Sequence, residues 1–190
     1  GLTHKEDLES GSRAAILGGV TTYFEMPNTD PPTITAAALA DKLKRANGRS
    51  WADYAFFIGA SKENVESLAE LEMLPGTPGV KIFAGSSTGS LLIEDDELLR
   101  QVLRNGRRPC PVHSEYEPRL RARKAALQGD VHVREHPNIR DAEAARLCTE
   151  LVIAACRDTH RPVHILHIST ADELPLLQAA KDAGLPVTCE

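Results

Sequence analysis

No apolar run in this chain approaches the ~20 residues that a membrane-spanning helix needs, and no basic-then-apolar segment of the signal type opens it. No lysine and arginine block is interleaved with aromatics, and the net charge is −5 with seven histidines counted neutral, so nothing points to a nucleic-acid surface. Cysteine is sparse. Cys110, Cys148, Cys156 and Cys189 show no C-x-x-C spacing and no dense framework, which argues against a structural zinc knuckle or secreted disulfides and for reduced thiols. The expectation is a cytoplasmic protein. Nucleotide signatures are missing too: Gly85-Ser86-Ser87-Thr88-Gly89 lacks the G-x-G-x-x-G spacing, and there is no P-loop Gly-Lys-Ser/Thr. There is also no internal repeat and no interdomain linker.

What is present is 190 residues with 42% hydrophobic content, enough for one well-buried domain. The chain begins on Gly1 without a methionine and stops at Val187-Thr188-Cys189-Glu190, which reads as a strand short of its loop. The expectation is a segment of a longer protein. Thr3-His4-Lys5-Glu6 fits a capping box ahead of a first helix to about Leu17. Val20 to Met26 reads as a buried strand ended by Pro27, and Asn28 to Pro32 as a rigid loop. Helices are expected over 36–46, 62–71, 94–104, 141–158 and 170–183. Strands are expected at 54–58, around Lys81, around His113 and around His167. The basic stretch Arg119 to Lys124 reads as a solvated helix face balanced by Glu115 and Glu117, and 127–140 as a long loop, a feature commonly functional in compact domains. Strand and helix alternating at this spacing imply a parallel α/β sheet, either open and doubly wound or closed into a barrel.

Three of the strand-like runs carry a potential metal ligand: Gly79-Val80-Lys81-Ile82-Phe83, Pro111-Val112-His113-Ser114-Glu115 and Val163-His164-Ile165-Leu166-His167. A fourth ends on Met26-Pro27-Asn28. In a barrel, residues at the C-terminal ends of strands converge on one mouth, so distant residues can share a site. A lysine buried without a partner is pushed to neutralise, and the neutral amine can take up carbon dioxide as an anionic carbamate able to bridge two cations. Two imidazoles beside it would complete a set that suits zinc, whose chemistry is the hydrolysis of an amide-like bond. The alternatives stand beside this: Lys81 as an edge lysine reaching solvent, His113 as a hydrogen-bonded core histidine and Asn28 as a turn former. His164, three residues from His167, is expected on the opposite side, and His4, His132, His136 and His160 on the surface or in loops.

Glu25-Met26-Pro27-Asn28-Thr29, preceded by Gly18-Gly19-Val20-Thr21-Thr22, resembles the second strand of dihydroorotases in the cyclic amidohydrolase branch of the amidohydrolase superfamily. Gly79 to Phe83 resembles the strand of the carboxylated lysine, His113-Ser114-Glu115 the first histidine strand, and Ile165 to Thr170 the second. His136-Pro137 with Arg140-Asp141 before a long helix also fits, so the resemblance covers essentially the whole chain in order. It implies a TIM (β/α)8-barrel of the metal-dependent hydrolase type, present here as a partial barrel, with residues 1–190 its central part. It further implies a cytoplasmic, homo-oligomeric enzyme with about two zinc ions per subunit that interconverts dihydroorotate and N-carbamoyl-aspartate. By position, Lys81 as carbamate, His113 and His167 would be metal ligands, and Asn28 would donate to the substrate carboxylate. The family's His-x-His pair and arginine would lie before Gly1, and its general-base aspartate beyond Glu190. Tyr116 departs from the family, whose members tend to be acidic there. The related readings are an allantoinase, a hydantoinase/dihydropyrimidinase, or a non-catalytic scaffold of the same fold.

Overall fold

Four of the helices start where a short polar side chain satisfies a free amide. In the computed structural model, which describes residues 3–87, 89–127, 129 and 131–190, α1 (Leu8–Leu17) is capped by Asp7, whose carboxylate accepts from the Ser10 amide at 2.8 Å. Ser10 Oγ returns a bond to the Asp7 amide at 3.0 Å. The capping box is therefore Asp7–Ser10 and not Thr3–Glu6, whose residues form a turn ahead of it. Thr35 caps α2 (Ala36–Ala46), Asp95 caps α4 (Asp96–Arg104) and Asp141 caps the long α7 (Ala142–Thr159) in the same way, while α3 (Leu68–Leu71) between them is a single turn. The stretch expected to be helical from Lys62 is thus mostly turn and 3-10 structure. α5 (Glu117–Ala125), α6 (His136–Ile139) and α8 (Leu174–Asp182) complete the helices of the described residues. α6, with a 3-10 turn at Val133–Glu135, replaces part of the structureless loop expected over 127–140. Gly1, Thr88 of the glycine-serine loop, and Gln128 and Asp130 of that long segment lie outside the described residues.

The strands are β1 (Thr22–Glu25), β2 (Asp53–Phe56), β3 (Ile58–Gly59), β4 (Val80–Phe83), β5 (Cys110–His113), β6 (Val163–Ile165) and β7 (Val187–Cys189). All pairings are parallel: β1 with β2, and β3-β4-β5-β6-β7 in one sheet. One residue, Phe57, separates β2 from β3, and its amide donates to Glu25 O at 3.0 Å. The strand order follows the sequence without reversal. A doubly wound sheet reverses at a switch point, so this is the order of a singly wound α/β fold.

One face of the sheet carries the core. Ile58, Val80, Ile82, Cys110, Val112, Val163, Ile165 and Val187 are buried against Leu99 and Val102 of α4, Val152 and Cys156 of α7, and Leu177 of α8. Each such aliphatic side chain contributes about 1.5–3 kcal/mol on burial. Register puts Lys81, Phe83, Pro111, His113, His164 and Thr188 on the other face, because Ile82 pairs with Val112 and Pro111 with His164, which pairs with Thr188. Among the described residues no helix is long and apolar enough to cross a membrane.

Candidate metal centre

β-strand alternation aims His113, the last residue of β5, away from the helices. His167 lies two residues past β6 at φ +42°, a left-handed conformation uncommon for a side-chain-bearing residue and enriched at functional sites. These two placements bring His113 Nδ1 within 3.0 Å of His167 Nε2. Burial, followed by the neighbouring His113 and Lys81 charges, lowers the His167 pKa below its ordinary 6.5.

The other nitrogen of His113 is occupied. Nε2 lies 2.7 Å from Glu115 Oε2, and Arg140 grips the same carboxylate through Nε at 2.8 Å and a second guanidinium nitrogen. Burial raises the Glu115 pKa, but the bonds from His113, Arg140 and Ser86 outweigh it and hold the carboxyl well below the usual range. An ionised Glu115 accepts from a proton on His113 Nε2, and Nδ1 is the ring nitrogen that faces His167. A carboxylate orienting a histidine in this manner is the usual outer shell of a metal-ligating imidazole.

Lys81, in the middle of β4, is 1% exposed, so it does not reach solvent as an edge lysine would. Its Nζ donates to Ile82 O at 2.6 Å and stands 3.7 Å from the Phe83 ring centre. Burial lowers its pKa from 10.5 to about 7, leaving a large share of the amine neutral and nucleophilic at physiological pH. Leu91 and Pro27 crowd Gly59, the register partner of Lys81: a Cβ at Gly59 would stand 2.4 Å from Leu91 Cδ2.

The structure brings His113 and His167 together, with Lys81 on the neighbouring strand and the same face. Asn28 is exposed in the loop after β1 and does not line the cavity of about 250 Å³ that holds the two histidines. His164, expected to turn away, shares its face with Lys81 and His113 and bonds Thr188 Oγ1 at 2.8 Å. Alternation stops with β6 at Ile165, so counting by twos does not extend to His167. Among the described residues no three His, Cys, Asp or Glu side chains converge as a metal-binding group. The chemistry of the donors nevertheless fits zinc: two imidazole nitrogens meeting at one point, one of them braced by a carboxylate, and a buried amine able to become an oxygen ligand. Sequence reasoning missed the Glu115–Arg140 clasp. Of the two carboxylates expected to balance the basic stretch 119–124, Glu117 does pair with Arg121 at 3.3 Å, whereas Glu115 is turned to Arg140 and the stretch is served instead by Asp141 on Arg119 at 2.6 Å and Glu94 on Arg121 at 2.8 Å.

No family model matches this chain. It is 32% identical over 188 residues to a dihydroorotase of Methanosarcina acetivorans, covering 95% of this chain and 39% of that protein. It is 33% identical over 196 residues to an allantoinase of Bacillus velezensis, covering 97% of this chain and 42% of that protein. Among solved structures it superposes on the L-hydantoinase (dihydropyrimidinase) of Arthrobacter aurescens with a TM-score of 0.86 and 25% identity, over 96% of this chain and 42% of that one. The chain thus spans about two fifths of the length of these relatives.

Proposed function

From a chain that belongs to the cyclic amidohydrolase branch, we propose a zinc-dependent hydrolase of cyclic amides, with dihydroorotate as substrate and N-carbamoyl-aspartate as its ring-opened product. Residues 1–190 form the central arc of a (β/α)8 barrel in this reading, in keeping with parallel strands that follow one another without reversal. The observation that carries the proposal is the 3.0 Å approach of His113 Nδ1 to His167 Nε2 at the C-terminal ends of neighbouring strands.

His113, His167 and Lys81 would hold the metal, Lys81 after its neutral amine has added to carbon dioxide and lost a proton to give a carbamate. Zinc bound there would acidify a water toward neutrality and polarise the substrate carbonyl. Glu115 keeps the His113 proton on Nε2, and Arg140 keeps Glu115 ionised and in place. Burial keeps Lys81 largely unprotonated. Asn28, at the mouth end of β1, would donate to the substrate carboxylate.

A second reading, another cyclic ureide as substrate, is favoured by the allantoinase and hydantoinase likenesses. Rates of the full-length protein on dihydroorotate, allantoin and hydantoin separate the two. Turnover of dihydroorotate at least tenfold faster than the others supports the first. A preference for allantoin or hydantoin replaces it, and zinc-free protein inert on all three points to a scaffold.

A further inference from the structure

Behind the two imidazoles, Glu173 contributes a carboxylate to the cavity wall although the residue is only 2% exposed. Its Oε1 accepts from the Thr149 hydroxyl at 2.8 Å and its Oε2 from the Thr170 hydroxyl at 2.8 Å. A hydroxyl has one proton, so Thr149, donating to Glu173, must accept from Ser114, whose Oγ lies 3.0 Å away. One arm of Glu173 therefore reaches Ser114, the residue after His113. The other reaches Thr170, three residues beyond His167. Thr149 and Ser114 are themselves buried, so that arm of the chain is largely shielded from water, while Thr170 is half-buried at the cavity wall.

His167 needs such a tie. It stands outside the β-ladder, and its segment is otherwise held by the Leu166 amide on Val112 O at 3.1 Å and the Ile168 amide on Glu190 O at 2.7 Å. Neither bond links the end of β5 to the turn that follows His167.

We infer that Glu173 is a positioning residue that clamps the segment after His113 to the segment after His167 and so sets the separation of the two imidazoles. The consequence for zinc rests on the proposed function; the clamp itself is read in metal-free protein. Its test is the full-length protein with Glu173→Gln, which keeps the side-chain size but replaces one acceptor oxygen by a donor, so that the two hydroxyls cannot both donate to it. Thr170→Val removes only the His167 arm.

The primary readout is the imidazole nitrogen resonances of His113 and His167 without metal, followed by the zinc dissociation constant by chelator competition. Glu173→Gln is expected to shift both histidines, Thr170→Val mainly His167, and each to weaken zinc by about tenfold or more. Unmoved resonances in both folded variants, with only the melting temperature lowered, would reduce Glu173 to a structural role and overturn the inference. Should Glu173→Gln fail to fold, Thr170→Val decides alone by the same criterion. Wild-type protein without zinc affinity would remove the metal reading, while the metal-free resonances would still decide the clamp.

Discussion

At the N-terminal ends of the strands, Glu72 and Arg161 are each 1% exposed and meet at 2.5 Å. Both carboxylate oxygens and two of the three guanidinium nitrogens of that pair are used: Glu72 Oε1 accepts from the Arg107 amide at 2.6 Å, and Arg161 Nε donates to Arg108 O at 2.6 Å. Arg161 Nη1 is buried without a partner and sits against Gly106, where a Cβ would stand 2.3 Å from it. At the C-terminal ends, Glu115 and Arg140 pair with side chains 14% and 35% exposed, and the carboxylate also holds His113. The lower pair ties the turns before three strands to one another and ends there. The upper pair passes its orientation on to a ring whose second nitrogen is left facing His167. A glutamate–arginine contact is thus a staple where backbone groups surround it and a tuning device where a titratable ring follows it.

The sharpest way to break that contrast is to remove one member of each pair. Arg161→Ala leaves Glu72 buried and uncompensated, and a urea unfolding midpoint should register a loss of about 3–5 kcal/mol. Arg140→Ala should change stability by no more than about 1 kcal/mol, because that pair is partly solvated. Equal losses at both positions would erase the distinction.

A somewhat smaller effect concerns Lys81. Its pKa falls from 10.5 in the unfolded chain to about 7 in the fold, so the unfolded state binds more protons between those values. Metal-free protein in carbonate-free buffer should therefore gain stability, on the order of a few kcal/mol, as pH rises from about 7 toward about 10.5. The contribution is lost as pH falls through 7. Lys81→Met should flatten the slope in that window, and a slope unchanged by the substitution would mean that Lys81 is solvated.

Glu115→Gln sharpens the comparison at the mouth, because an amide keeps one acceptor oxygen and so loses either the Arg140 Nε bond now made to Oε1 or the His113 and Arg140 bonds now made to Oε2. Zinc affinity should fall about 10–100-fold with little change in unfolding midpoint. The smallest expected effect is at Asn28: Asn28→Ala should raise KM for the anionic substrate several-fold and leave kcat nearly unchanged, as loss of a binding contact does. A fall in kcat alone would assign Asn28 another role.

Much of the fold was legible in local patterns. The helix over 36–46 and the strands around Lys81, His113 and Val187 follow from periodicity, β-branched content and punctuation by proline and glycine. Thr3 and Asp7 both offer a cap, and only packing decides that the helix starts after Asp7. α6 escapes a periodicity search because four residues are too few to show a period, although Pro137 in its first turn is a helix-start signal. At the site, the residue types and their order were readable. The Glu115–Arg140 clasp and the arm of Glu173 that runs through Thr149 to Ser114 were not, since both join residues 24 or more apart and depend on tertiary register. His164 differs from its expected side because the strand ends at Ile165 and the chain turns at His167, so alternation does not relate the two histidines.

The most direct measurement is the zinc content of the full-length protein, purified with carbon dioxide present, beside that of Lys81→Ala and His167→Ala. The account predicts about two zinc ions per chain in the wild type and marked loss in both variants, each still folded. Wild-type protein free of metal, or both variants retaining the full complement, would contradict it.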